Sequence, residues 1–303
     1  MIVPAPLSRG DVVRVIAPAG PFDPDRFQRG LEVLRQRLGL EPRLRQDIGA
    51  AAGYLAGDDA RRLAEWNEAV ADREARAIWC ARGGYGAMRL LPGIDPAPLL
   101  AHPRWLVGFS DVTALHLALN QAGLATMHGP LVVTLPQLPP EAMDHLEALL
   151  FGRAAPGAAL AGTATIRPGR AAGPLLGGTL SLLAHLCGTP WQPRLAGAIL
   201  FLEDVSEKPY QLDRYLTQLR LAGALDGLAG VALGQFTDGG EPGQSAAEAM
   251  RSLVGSLGVP AIEGLSAGHE PANLALPLGP LATLVAPGPG GGQGPRLVLG
   301  AGT

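Results

Sequence analysis

A chain of 303 residues, 47% hydrophobic and 17% charged, is long enough for two domains and too apolar to remain disordered. Its formal net charge of -3 gives no electrostatic reason to expect nucleic acid or an anionic membrane as partner. The opening MIVPAPLSRGDVVRVIAPAG lacks the pattern of a signal peptide, and no apolar run reaches about 18 residues, so neither an export signal nor a transmembrane helix is predicted.

Asp11 to Ala17, DVVRVIA, is β-branched and stops at Pro18-Ala19-Gly20-Pro21, which predicts a first strand. Asp25 to Leu38 is an amphipathic helix with Phe27, Leu31 and Leu34 on one face, and Asp58 to Asp72 is a second, with Asp58 placed to cap it. Ala75 to Cys80 is the next strand, followed by Arg82-Gly83-Gly84-Tyr85-Gly86 and the helical AMRLL. Trp105-Leu106-Val107 leads through Gly108-Phe109-Ser110-Asp111 into a helix carrying Val112, Leu115 and Leu119 on one side. Met127 to Leu135 is strand-like and Glu141 to Phe151 helical. Strands alternating with helices predict a parallel sheet with crossovers, whose ligands gather at the carboxyl ends of the strands.

Residues 151–173 turn small and Gly/Pro-rich and read as a linker between a first domain over 1–150 and a second over 174–303. In the second, Leu182 to Cys187 is an apolar helix, Gly197 to Leu202 a buried strand ending at Glu203-Asp204, and Gln211 to Ala222 an amphipathic helix. Gly230 to Phe236 is a strand, Glu248 to Gly258 a helix, and Gly264 to Asn273 a loop. Two final strands flank a glycine-rich turn, which predicts a mixed sheet or small barrel.

Two loops leave strand ends in the first half. Ser110 is either a helix cap or a nucleophile above a helix N-terminus, where the dipole favours developing negative charge. The RGGYG loop matches neither phosphate-binding spacing, and reads as a tight turn or as backbone N–H donors of an oxyanion hole. A serine nucleophile needs a base and an acid to orient it. Of the six histidines, His102 and His145 sit in polar surroundings, and His116 and His185 in apolar helices that suit core histidines. His128 could line a cleft, and His269, in a Gly-His-Glu-Pro turn of a polar loop, is placed where a ring can pivot. Glu203 and Asp204, ending an apolar strand, are either loop-bonding groups or active-site carboxylates. No metal-ligand spacing occurs, so neither a metal nor another cofactor is predicted; Cys80 and Cys187 read as structural thiols, which fits a cytoplasmic enzyme.

Taken together, ARGGYGAMRLL, WLVGFSDVTALHLAL, MHGP, LLGGTLSLLAHLCGTP, LFLEDVSEKPYQLDRYLTQLRLAG and GHEPANLALPLG follow one another as in the LD-carboxypeptidases, the murein tetrapeptide carboxypeptidases, whose family includes the microcin C immunity peptidases. The resemblance covers about Asp11 to Ala286. It implies an α/β protein with a Rossmann-like N-terminal domain and a smaller β-rich C-terminal domain, and a Ser110-Glu203-His269 triad. The oxyanion hole would be the N–H groups of Gly84 and Asp111, and the activity removal of a terminal D-alanine from a murein tetrapeptide by a homodimer. Arg82 suits either the substrate carboxylate, as a bidentate partner, or a structural ion pair, with Tyr85 as a second substrate contact. Thr179 departs from the family, which more often has Asn there. The alternatives are a peptidase of the immunity type, which would need an aromatic surface for a base that the 5% aromatic content does not make evident, and a non-catalytic muropeptide binder.

Overall fold

The computed structural model describes every residue except 156, 238, 291, 292 and 301–303. In chain order its elements are β1 (Val12–Ile16), α1 (Pro24–Glu32), β2 (Glu41–Arg43), α2 (Asp59–Ala71), β3 (Ala75–Cys80), α3 (Ala97–Ala101), β4 (Trp105–Gly108), α4 (Thr113–Gln121), β5 (Thr126–His128) and α5 (Pro140–Leu150). There follow β6 (Ala159–Ala161), β7 (Ala164–Arg167), β8 (Gly169–Thr179), α6 (Leu180–His185), β9 (Ile199–Val205), α7 (Pro209–Leu221), β10 (Gly230–Thr237), α8 (Ala246–Gly255), β11 (Ala261–Glu263), β12 (Leu276–Leu278), β13 (Leu281–Ala286) and β14 (Arg296–Leu299). The chain divides into two compact units, the first of Met1–Ala154 with Leu274–Leu276, the second of Ala155–Asn273 with Pro277–Thr303.

The first unit is built on a six-stranded sheet in the order β12-β5-β4-β3-β1-β2. The pairs from β2 through β1, β3 and β4 to β5 are all parallel. Central strands covered on both faces read as largely apolar: β4 is wholly buried and β1 and β3 are each broken by one arginine, Arg14 and Arg76, whereas the edge strand β2 is mostly exposed. Val13, Val15, Trp79 and Val107 are fully buried with Leu34 and Leu146 of the covering layer; each such side chain contributes roughly 1.5–3 kcal/mol. Helix starts follow the predicted chemistry: the Asp58 carboxylate accepts the Arg61 N–H at 2.8 Å, and Asp23 does the same for Arg26, followed by Pro24 at the first helical position.

The second unit is an eight-stranded mixed sheet, β6-β14-β13-β8-β9-β10-β11-β7. β8, β9, β10 and β11 run parallel, and antiparallel pairs extend both flanks. Its two edge strands, β6 and β7, are joined by Gly162 and Thr163 alone, whose N–H groups bond Pro295 O at 2.9 Å and Glu263 O at 2.8 Å, so the sheet curls back on itself as the barrel alternative expects. Leu200, Phe201 and Leu202 of β9 are fully buried beside Val231 and Ala232 of β10.

Three sequence expectations are corrected. Residues 151–173 are not a bare linker: they hold β6, β7 and the start of β8, whose small residues admit close neighbours such as Gly197 O, 2.1 Å from where a Cβ at Gly173 would lie. The strand expected over Met127 to Leu135 ends at His128, and Val132–Gln137 forms a 3₁₀ turn around Pro136. His185 lies on the exposed side of α6, its ring edge-on to Tyr215 at 5.6 Å, not in the core. Residues 291 and 292 of the glycine-rich turn lie outside the described residues. Among the described residues no helix is long and apolar enough to cross a membrane.

Candidate active site

In the first unit, the wholly buried β4 delivers Phe109 and Ser110 at its carboxyl end. Ser110 has φ 63°, and Ser206 is the other non-glycine in this region among the described residues. The left-handed conformation costs an L-residue roughly 1–2 kcal/mol, so the surroundings must enforce it. They do so on both sides: Phe109 is buried with its ring against His128 at 5.6 Å, and Asp111 is buried. Ser110 opens a short 3₁₀ turn, Ser110–Val112, that feeds α4. The cap positions of these two segments belong to Phe109 and Val112, so the helix-cap reading of Ser110 does not hold.

The glycine loop passes directly against this serine. A Cβ at Gly83 would lie 3.0 Å from Ser110 Cβ and 3.2 Å from its Oγ, so only a bare backbone fits without displacement. Gly84 and Gly86 have φ of 104° and 126°, which glycine adopts without penalty. Gly83 accepts the Gly20 N–H at 3.0 Å, and the Asp111 carboxylate accepts the Ala87 N–H at 2.7 Å. Burial pushes the Asp111 carboxyl up to about 6, against the pull of that N–H and of the Arg62 charge. Arg62, itself fully buried on α2, donates to Pro18 O at 2.5 Å and Gly86 O at 2.8 Å. Nothing in the sequence marked Arg62 apart from its neighbour Arg61. Arg82 is exposed and donates to Pro21 O. Tyr85 is half exposed and meets Tyr54 edge-on at 5.5 Å, an aromatic surface that composition did not reveal.

In the second unit, Glu203 and Asp204 are adjacent on β9 and so project to opposite faces. Glu203 is fully buried, and its Oε2 lies 2.7 Å from His269 Nδ1. Thr179 donates its hydroxyl to Glu203 Oε1 at 2.5 Å. Asp204 accepts the Ser181 N–H at 2.8 Å and the Val205 N–H at 2.9 Å, while burial pushes its carboxyl up to about 6. The loop carrying His269 is clasped to β10 by Leu265 N–H to Leu233 O and Gln235 N–H to Ala267 O, and turns at Gly268, φ 142°, whose N–H meets Asn273 Oδ1 at 3.0 Å. Burial lowers the imidazole pKa, but the hydrogen bond and charge of Glu203 and the charge of Asp204 raise it overall above the ordinary value. An imidazole held by a buried carboxylate through Nδ1 exchanges protons through Nε2.

Of the remaining histidines, His128 packs on Phe109 beside the Ser110 turn. His116 is buried, bonded through Nε2 to Gly108 O at 2.8 Å, and burial pushes its pKa down to about 3, which keeps it neutral. His145 bonds Ala275 O at 2.8 Å, and His102 is exposed. Of the seven expected site residues, the structure places Ser110, Asp111, Arg82, Gly84 and Tyr85 in the first unit, and Glu203 and His269 in the second.

Residues 13–129 match the N-terminal domain of the LD-carboxypeptidases and residues 172–284 their C-terminal domain. The probable murein peptide carboxypeptidase of Bacillus subtilis is 37% identical, over 93% of this chain and 91% of its own. The murein tetrapeptide carboxypeptidase of Pseudomonas aeruginosa is 35% identical, over 90% of this chain and 92% of its own. The crystal structure of muramoyltetrapeptide carboxypeptidase from Oxalobacter formigenes superposes with a TM-score of 0.84 at 29% identity, covering 95% of this chain and 98% of that one. The chain belongs to the LD-carboxypeptidase family.

Proposed function

We propose that the protein is a serine-type carboxypeptidase that removes the terminal D-alanine from murein tetrapeptides. The observation that carries the serine mechanism is the conformation of Ser110: a left-handed, non-glycine residue at a strand end, pressed against a glycine loop. The Glu203–His269 pair and the names of the relatives support it.

In this reading Ser110 Oγ attacks the carbonyl carbon that joins the L-centre of the third residue to D-alanine, and its proton passes to His269 Nε2. The carbonyl oxygen becomes an oxyanion held by the N–H groups of Gly84 and Asp111; one such donor is worth about 3–4 kcal/mol of barrier. The C–N bond then breaks, the imidazolium gives its proton to the departing amine, and D-alanine leaves. Water, deprotonated by His269, cleaves the Ser110 ester and releases the tripeptide. Glu203 fixes the imidazole and stabilises its charged form without itself being protonated. Arg82 takes the substrate carboxylate and Tyr85 a neighbouring part of the peptide.

The test is mass spectrometry of a murein tetrapeptide before and after exposure to the protein. Wild type should shift it to the tripeptide and Ser110→Ala should not; an unchanged tetrapeptide with wild type overturns the reading. A cytoplasmic homodimer acting in peptidoglycan recycling completes the proposal, with light scattering of the purified protein testing the dimer.

The Tyr54–Tyr85 pair favours one second reading, a peptidyl-nucleotide substrate whose base packs on these rings. Faster hydrolysis of an aminoacyl sulfamoyl adenosine than of the tetrapeptide would establish it.

A further inference from the structure

We infer that Thr179 is a positioning residue for the triad acid: its hydroxyl holds Glu203 Oε1 so that Oε2 faces His269 Nδ1. This rests on the triad reading above. Glu203 has no exposed surface, so its carboxylate depends on protein donors for its orientation and its charge. Thr179 and His269 engage different oxygens, at 2.5 and 2.7 Å, which fixes the rotation of the carboxyl plane.

The backbone is built to bring Thr179 there. In the parallel register of β8 and β9, Thr179 stands opposite Glu203. Two residues earlier β8 comes so close to β9 that a Cβ at Gly177 would lie 1.9 Å from Phe201 O; Gly177 and Gly178 have φ of 131° and 139°. Two residues later, the Ser181 N–H is tied to Asp204 Oδ2 at 2.8 Å. The adjacent acids of β9 thus anchor residues 179 and 181 from opposite faces. Because the glycine contacts and the Asp204 bond fasten the segment without the hydroxyl, the hydroxyl serves the carboxylate and not the fold.

Thr179→Val keeps the shape and removes the donor. A hydrogen bond to a charged group sets the scale, so kcat for D-alanine release should fall about tenfold or more, with KM and the thermal midpoint near wild type. Without the donor, the charge of Glu203 concentrates on the oxygen facing His269 and holds the imidazolium more tightly. Glu203 and Asp204 are the charged groups that raise the pKa of this ring. The acid limb of the kcat/KM profile should therefore move to higher pH by about half a unit or more. Thr179→Ser should restore both.

The three proteins are also labelled at Ser110 with a fluorophosphonate, whose rate reports the serine without the peptide. Unchanged kcat, labelling rate and pH profile in Thr179→Val, or no recovery in Thr179→Ser, overturn the inference. If wild type labels at Ser110 but releases no D-alanine, the substrate reading falls and Thr179 is judged on labelling alone. If wild type does not label, the triad and this inference fall together. Should Thr179→Val not fold, Thr179→Cys, similar in size and a weak donor, replaces it with the same expectations.

Discussion

Arg62 Nη1 lies 2.8 Å from the carbonyl oxygen of Gly86, and the guanidinium that makes this bond has no exposed surface. The same nitrogen reaches Pro18 O at 2.5 Å, and the other terminal nitrogen is paired with Asp59. One side chain from the first turns of α2 therefore ties the loop after β1 to the end of the glycine loop that runs past Ser110. Asp59 has a second partner in Arg89, but the two carbonyls would lose this donor if Arg62 were replaced.

Arg62→Met should therefore cost about 1–3 kcal/mol in urea unfolding for each of the two buried carbonyls that it leaves without this donor. Arg62→Lys should recover only part, since a point-like ammonium on a flexible stem cannot span two carbonyls and a carboxylate in one plane. A Met variant as stable as wild type would show that the guanidinium does not hold the loops.

The second prediction concerns pH. Burial pulls the pKa of His269 down, but the Glu203 hydrogen bond and charge, with the charge of Asp204, lift it above the ordinary value of about 6.5. In the proposed role of general base His269 must be neutral, so the acid limb of kcat/KM should lie above that value. Glu203→Gln should lower it and reduce turnover by roughly 10⁴-fold, the scale for losing the charge of a triad acid. For stability the sign follows from a raised base: the pair's contribution is full below the unfolded histidine pKa and is lost as pH rises through the folded one. The stability gap between wild type and Glu203→Gln, from urea melts across pH 5–9, should narrow on the alkaline side. A gap that widened there would contradict the pairing.

Some of this was legible in the sequence because its physical cause is local. VVRVI, ARAIWC and ILFLE are strands because short runs dominated by β-branched and apolar residues suit a sheet covered on both faces, and Asp58 marks a helix start by its own side-chain chemistry. The second sheet was not legible in its order, since β7 pairs with β11 about a hundred residues later, and small residues that resemble a linker also suit close-packed strands. The left-handed backbone of Ser110 has no signature in a serine; Phe109, Asp111 and the Gly83 backbone impose it. Arg62 looked like any surface arginine on an amphipathic helix, because its burial depends on carbonyls of two distant loops.

The conformation of Ser110 yields a third prediction. An L-residue at φ 63° carries strain that glycine does not, whereas alanine retains it. Ser110→Gly and Ser110→Ala should both be inactive, but the glycine variant should be more stable by about 1 kcal/mol, equivalent to about 2–4 °C in the transition of its unit. Equal melting of the two variants would show that the serine is not strained.

Gly83 gives the most selective test of the loop. Its φ lies outside the left-handed region, so alanine is not strained there for backbone reasons. The added methyl would lie 3.0 Å from Ser110 Cβ, 3.2 Å from Oγ and 3.4 Å from Phe109 O, so the displacement falls on Ser110. Gly83→Ala should keep its urea midpoint yet lose about 10²-fold in turnover and in fluorophosphonate labelling, the scale for a misplacement near 1 Å. Gly177→Ala is the contrast: its Cβ would sit 1.9 Å from Phe201 O, so the strands must separate and the protein should fail to fold. If Gly83→Ala were fully active, the loop would have room beside Ser110, and an oxyanion site formed by that backbone would lose its geometric basis.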